Sequence, residues 1–438
     1  VSSAIPAGRL GRIARLLSVA LRNAWAALAH KVAALVTPRQ HREQRLLEQQ
    51  ARSAKRTADA MGAMKGVAMK LGQMISFLDD LMPPVFAEQM RSLQNAAPPE
   101  LDAETVLAQV ELELGRPVEQ LFASFDTTAM AAASIGQVHR ATTRDGRDVV
   151  VKVQYPGVDA AIRADLANAK ALAGGVGRFF PTLDARALAE ELRERVLEEL
   201  DYRIEAANQE AFRRQFAGDA DLEIPAVVAE LSSERVLTTE YKPGLDLYRF
   251  CETATEEARQ RAGQALHRFV FESIWVYGVF NADPHPGNFL FREDGRVICL
   301  DFGCVKQFPD EFLDNMRQLT MAYLDGRRDD FYEQALRMEF IRPGHEHKVP
   351  RDWLWDYVRW YHLPILDDAP FTYTPEYTRQ ATTVMFGDNV RKTNMPPDYL
   401  MLNRITFGVN SLLAKLRARH NWHSLLTHYM QPRTRAAS

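Results

Sequence analysis

The chain reads as an α+β fold of two lobes, a small sheet-containing lobe and a helical lobe, preceded by a helical extension. Three observations lead there. "RDVVVKVQYP" follows the turn Arg144-Asp145-Gly146 and alternates like a half-buried strand. "NFLF" and "VICL" flank Glu293-Asp294-Gly295 and read as a β-hairpin. Helical periodicity dominates on either side of this strand-bearing region. With 438 residues the chain has ample material for two lobes and an appended helical region. The segments are 1–42, a basic amphipathic helix; 43–120, a helical extension; 121–242, the sheet lobe; and 243–438, the helical lobe with C-terminal helices.

Before Glu43 there is no acidic residue, while Arg9, Arg12, Arg15, Arg22, Lys31, Arg39 and Arg42 are spread along the chain. Leu10, Ile13, Leu17, Leu21, Trp25 and Leu28 fall at helical spacing, so the segment suits an anionic membrane surface. Packing on the body of the protein, or a transit peptide, would show the same arginines. The apolar stretches fall short of a span, and neither a transmembrane helix nor a secretory signal is expected.

The extension contains "ADAMGAMKGVAMKLGQMISFLDDL", a methionine-rich helix in which Lys70 shares a face with Val67 and Met74. Spacing alone makes Lys70 a lysine that snorkels to water, and Gly72 and Gln73 a packing glycine beside a surface amide. Pro83-Pro84 and Ala97-Pro98-Pro99 punctuate the extension before the first strands, after about residue 120.

In the sheet lobe Val149, Val151 and Val153 take one face of a strand and leave Val150 and Lys152 on the other. Lys152 can therefore point from a rigid strand into a cleft, as a partner for nucleotide α- and β-phosphates. A lysine so placed needs a carboxylate. The following helix, with Asp184 as N-cap, runs through "ARALAEELRERVLEELDYRIEAANQEAFRRQF", with Leu188, Leu192, Val196, Leu200 and Ile204 as its apolar stripe. On it Asp201 and Glu205 share a face, and Glu199 lies about 200° from Asp201. Glu205 is the expected lysine partner, leaving Glu199 and Asp201 to others. "ERVLTTEY" reads as a strand ending at Glu240-Tyr241, a hinge beside a nucleotide base, and "KPGLDL" opens the second lobe.

The chemistry concentrates in "NADPHPGNFLF" and "VICLDFGCV". Phosphoryl transfer needs one carboxylate to orient the acceptor and two oxygen ligands to hold Mg²⁺ against the phosphates. Asp283 fits the first role; Asn288, five residues on, and Asp301 of Asp301-Phe302-Gly303 fit the second, in the order of a kinase catalytic loop. His285 has no partners at metal-ligand spacing and reads as loop-shaping. The expected fold is thus protein-kinase-like, with ATP or ADP and Mg²⁺ as cofactors.

Two departures from an ordinary protein kinase stand out. "AMAAASIGQVHRA" carries Ala131, Ala132, Ala133 and Ser134 where a glycine-rich phosphate loop is expected, with Gly136 and Val138 following. After Gly303 only a few residues precede a helix near Pro309-Asp310, and no Ala-Pro-Glu triplet is near, so a peptide-docking segment has almost no room.

With "MKLGQMISFLDDLMP", "AAASIGQVHRA", "VVVKVQYPGV", "EELDYRIEAANQ", "DPHPGNFL" and "DFG" in this order, residues 60 to 310 resemble the UbiB/AarF (ADCK-like) atypical kinases. The resemblance implies that Lys70 of the K-x-G-Q motif, with Gly72 and Gln73, reaches across the nucleotide cleft into space a protein substrate would need. It implies that Glu199 and Asp201, the E-x-D motif, interact with that insertion. It also implies ATPase behaviour at a membrane, serving quinone or other isoprenoid-lipid metabolism, with lipid-biosynthesis proteins as partners.

The formal net charge is −3 and 25% of residues are charged, so no basic signature for nucleic acid is present. Cys251, Cys299 and Cys304 lack C-x-x-C spacing and fit a reducing compartment. The expected location is cytoplasmic and peripheral to a membrane, an organellar matrix also being compatible. The aromatic run "WLWDYVRWYHLPIL" reads as core rather than lipid pocket. Two rival functions are weighed: a small-molecule phosphotransferase of the aminoglycoside or choline type, marked by an acidic acceptor pocket in the last hundred residues, and a nucleotide-dependent scaffold without turnover.

Overall fold

Alternating valines and short turns build the first lobe. A computed structural model describes residues 101–431 apart from 134, 161, 164–189, 191–192, 195, 282–283, 342–343, 387–392 and 395. Lys70, Gly72, Gln73, Ser134, Asp184 and Asp283, and the amphipathic segment 1–42, lie outside the described residues. The first helix, α1 (Ala103–Leu114), starts where Asp102 accepts a hydrogen bond from Thr105 N at 2.8 Å and stops at Gly115 with φ 68°. A single turn, α2 (Val118–Leu121), leads into β1 (Phe122–Ala132), β2 (Gly136–Thr143) and β3 (Asp148–Gln154). Then follow α3 (Tyr202–Gln215), β4 (Leu222–Glu223) and β5 (Val236–Glu240). The sheet runs β1-β2-β3-β5, with antiparallel pairing throughout.

Val149, Val151 and Val153 are wholly buried on one face, in a cluster with Val110 of α1. Each contributes roughly 1.5–3 kcal/mol by leaving water. Leu237 packs with Leu200 and Tyr202 in a separate cluster, and its Cα lies opposite Lys152 in the register. Lys152 is therefore held on the face its sequence alternation assigns.

The helix after the sheet departs from expectation. Instead of one continuous helix through Asp201, helical residues Val196–Glu198 end in a turn at Glu199-Leu200, and α3 starts afresh. Asp201 sits in extended backbone (φ −121°, ψ 98°) as the N-cap, accepting from Arg203 N. Asp201 thus shares no helical face with Glu205. The break also removes Ile204 from the predicted stripe: it is exposed, while Val196 and Leu200 remain buried.

The second lobe is largely helical. It begins with α4 (Leu247–Thr253) and α5 (Glu256–Trp275), whose Leu266, Phe269, Val270 and Ile274 are fully buried. The short strands β6 (Val279–Asn281), β7 (Phe289–Phe291), β8 (Val297–Cys299) and β9 (Val305–Gln307) follow. Strands β7 and β8 form the expected hairpin, turning at Gly295 (φ +91°), and β4 adds in parallel to β8. Strand β9 pairs with β6 in a separate two-stranded sheet, so the segment after Asp-Phe-Gly is at once taken up in strand pairing.

Next come α6 (Asp310–Leu324), α7 (Arg328–Arg337), α8 (Arg351–Leu366) and β10 (Phe371–Thr372). The chain closes with α9 (Pro375–Phe386), α10 (Pro397–Leu416), β11 (Arg419–His420) and α11 (Trp422–Tyr429). The aromatic run of α8 is core: Trp360 is buried and stacks on Tyr377 at 4.7 Å and Phe407 at 5.4 Å. That core nevertheless borders a partly open cavity of about 120 Å³. Among the described residues no helix is long and apolar enough to cross a membrane.

Candidate active site

The centre of the site is an ion pair between the sheet and α3. Lys152 Nζ donates to Glu205 Oε1 at 2.9 Å and Oε2 at 2.8 Å, with side chains 17% and 5% exposed. Both oxygens accept from one ammonium group, the geometry a carboxylate offers. Burial pulls Lys152 toward neutrality, but Glu205 and then Asp301 outweigh it and hold its pKa well above the ordinary lysine range. Burial pushes Glu205 upward, opposed by Lys152 and reinforced by Asp301. The ring of Tyr202, wholly inside, lies 4.9 Å from Nζ, and burial pushes its hydroxyl pKa up.

Asp301 is delivered by the hairpin. Leu300 N donates to Asn288 O at 3.0 Å, which brings the residues flanking β7 and β8 together. Asp301 Oδ1 accepts from Gly303 N at 2.9 Å. A Cβ on Gly303 would lie 3.4 Å from both Asp301 Oδ1 and Glu205 Oε2, so one small space borders both carboxylates. Asn288 and Asp301 are oxygen donors of the kind a hard divalent cation takes. Among the described residues no three His, Cys, Asp or Glu side chains converge as a metal cage. Mg²⁺ held by one amide, one carboxylate, phosphate oxygens and water needs no such cage. Pro284 and His285 frame the segment before Asn288, and His285 Nδ1 accepts from Gly287 N at 3.1 Å, a loop-shaping contact.

Above the cleft, β1 runs to Ala132 and Ala133 N donates to Gly136 O at 2.9 Å, closing a tight turn. Ala131 and Ala132 are exposed, and Val138 sits directly opposite Lys152 in the ladder. Gly136 is required by close approach: a Cβ there would stand 2.2 Å from Val153 O. At the far end of β5, Glu240 N is bonded to Ala226 O, Lys242 Nζ reaches Glu240 Oε1 at 2.5 Å, and the Arg140 guanidinium lies 3.4 Å over the Tyr241 ring.

Glu199 is buried. Asp201 is engaged locally: beyond its cap it pairs with Arg203 at 2.7 Å, and Arg203 reaches Glu234 at 3.2 Å. The Arg203 hydrogen bond, partly opposed by burial, holds the Asp201 carboxyl below its ordinary range.

Two residues were missed from the sequence. Asn208, three positions after Glu205 and so on the same helical side, donates to Phe302 O at 3.1 Å. A polar, weakly helix-forming residue inside a helix was the available signal. Gly408 of α10 carried none; a Cβ there would stand 2.2 Å from Pro284 Cγ, so α10 rests directly on the loop before Asn288.

A strand lysine paired to a helix glutamate and facing a hairpin-borne aspartate across two lobes defines a protein-kinase-like fold. The family model for the ABC1 atypical kinase-like domain matches residues 92–335, more than half of the chain. The chain belongs to this family, the UbiB group of AarF and COQ8 proteins. It is 32% identical over 302 residues to the atypical kinase COQ8B, mitochondrial, of Rattus norvegicus, covering 68% of this chain and 57% of that protein. It is likewise 32% identical over 295 residues to AarF domain-containing protein kinase 1 of Xenopus laevis, covering 65% and 56%. The chain thus spans about half the length of the curated relatives it matches. A solved structure of Rv3197 with erythromycin, from Mycobacterium tuberculosis, superposes with a TM-score of 0.66 at 31% identity, covering 89% of this chain and 98% of that one.

Proposed function

We propose that the chain turns over ATP with Mg²⁺, at a membrane and in support of quinone or isoprenoid-lipid metabolism, rather than phosphorylating proteins. The bidentate Lys152–Glu205 pair carries the reading, because an intact pair is what positions α- and β-phosphates in kinase-like sites. Lys152, kept charged, would bind the phosphates; Glu205 would fix its direction. Asn288 and Asp301 would hold Mg²⁺, which neutralises phosphate charge when bound. Asp283 would orient the acceptor, often water, with Val138 and the Glu240-Tyr241 hinge bordering the nucleotide and Ala131, Ala132, Ala133 and Ser134 covering its phosphates less closely than glycines. Lys70, Gly72 and Gln73 would gate the cleft against protein substrates, with Glu199 as a contact.

Lipid coupling is supported by the basic amphipathic segment 1–42 and by the COQ8 relative. ATP hydrolysis by the intact chain and by one lacking residues 1–42, each with and without anionic liposomes, tests it. Stimulation confined to the intact chain with liposomes is expected; indifference to both variables removes the membrane coupling.

One observation favours a second reading, small-molecule phosphotransfer. A groove of about 260 Å³ lies just past the Asp-Phe-Gly segment and is bordered by Glu311 and Asp398, the latter in the last hundred residues. The structural relative bound to erythromycin adds weight. ADP release stimulated by a polar amine or alcohol would select this reading, although Asp398 is already paired to Lys306 at 3.0 Å.

A further inference from the structure

Arg292 stands where β4, β7 and the link between the lobes meet. It follows β7 directly, and its main-chain N donates to Arg296 O at 2.9 Å to open the hairpin turn. Its side chain serves two other elements. Nε and Nη2 donate to Glu223 Oε1 and Oε2 at 3.0 and 2.8 Å, while Nη1 donates to Pro243 O at 2.7 Å. All three guanidinium nitrogens are therefore engaged. Glu223 belongs to β4, which runs parallel to β8, and Pro243 lies just past Glu240-Tyr241, the segment read as bordering the nucleotide base.

Isolated surface ion pairs contribute little, but this one has parallel fork geometry and side chains only 24% and 18% exposed. The Arg292 hydrogen bonds, partly opposed by burial, hold the Glu223 carboxyl below its ordinary range. A lysine could not replace it, because one ammonium lacks the planar fork that meets a carboxylate and a separate carbonyl at once. The link is also sewn to β7. Leu245 and Phe291 exchange both main-chain hydrogen bonds at 2.8 Å, and a Cβ on Gly244 would stand 2.8 Å from Leu290 Cβ. Residues 243–245 thus move together with β7. Asn288 immediately precedes that strand, and β8 ends two residues before Asp301.

We propose that Arg292 is a positioning residue that couples the seating of the nucleotide base to the holding of Mg²⁺ by Asn288 and Asp301. The inference rests on the ATP reading above. Arg292 touches neither ligand; it fixes the link against β4 and β7, so that a base lodged at Glu240-Tyr241 steadies the hairpin whose ends carry the two metal-binding oxygens. Without the guanidinium, base and metal would be held independently.

The test is calorimetric titration of the full chain with ADP, with and without Mg²⁺, the ratio of the two dissociation constants giving the coupling. Arg292→Lys should lower that ratio by about fivefold, the lower end of typical coupling between sites, while ADP binding without metal stays near that of the unchanged chain. Glu223→Gln should act alike. Both substitutions together should lower the ratio no further, since they break one joint. Pyrophosphate, which has no base, should show the same Mg²⁺ ratio in every variant. Should the ion-pair variants fail to fold, Gly244→Ala, which forces the link away from Leu290, should lower the ADP ratio in their place. An ADP ratio unchanged in the folded variants, or an equal fall with pyrophosphate, overturns the role of Arg292 and leaves the ATP reading standing. No ADP binding by the unchanged chain overturns both.

Discussion

At Lys152 the interior holds a full charge pair; at His267 it holds a neutral imidazole. Lys152 and Glu205 are a matched donor and acceptor, each nearly enclosed, and each satisfies the other. His267 is equally enclosed, but its Nδ1 has no hydrogen-bond partner among the described residues, and burial keeps the imidazole uncharged. A buried charge demands its partner from the same chain, because an unpaired one is too costly. A buried neutral polar atom costs less, so the fold can carry it.

Removing one half of the charge pair separates the two regions most strongly. Lys152→Met should cost about 3–5 kcal/mol in denaturant unfolding, by leaving Glu205 buried and alone. Lys152→Met with Glu205→Gln should recover part of that stability while nucleotide binding stays lost; equal stability of the single and double variants would mean the pair is solvated after all.

Gly408→Ala tests the mechanical link between the regions, since its Cβ would overlap Pro284 at 2.2 Å. It should cost about 1–3 kcal/mol from overpacking and also lower ATP turnover. Lowered stability with unchanged turnover per folded molecule would uncouple α10 from the loop.

Acid should act on the neutral region. With His267 at about 3 in the fold against 6.5 when unfolded, the unfolded chain binds the extra proton, so stability falls as pH drops below 6.5 and the loss continues toward 3. The contribution lost between pH 6.5 and 5 is roughly 2 kcal/mol, and His267→Phe should flatten the Tm profile there. An unchanged slope would place the acid sensitivity elsewhere, with His362, near 4, the next residue to replace.

The smallest effect distinguishes a cap from a docking residue. Asp201→Ala should lower stability by about 1 kcal/mol through the lost cap. A much larger loss of turnover than of stability would show that Asp201 has a second partner.

The cleft was readable because strand and hairpin patterns are local. The valine alternation put Lys152 on its face, and Glu293-Asp294-Gly295 turned the hairpin that carries Asp301. The break at Leu200 was not readable, since Asp201 and Arg203 look like ordinary helical charges until Asp201 is seen in extended backbone, capping the helix that holds Arg203. The cavity was illegible for another reason. The aromatics of α8 read correctly as core, but empty space is set by how α5, α6, α8 and α10 meet, and no single segment encodes it.

One consequence concerns α3. Four positions along it, Tyr202, Glu205, Asn208 and Phe212, touch respectively the Lys152 ammonium, the same ammonium, the Phe302 carbonyl and the Phe302 ring. The helix therefore behaves as a clasp between the lobes, and parting the lobes means breaking these contacts together. Amide protons of β3 and of the residues around Phe302 should then exchange with solvent at a common rate, as members of one cooperative opening.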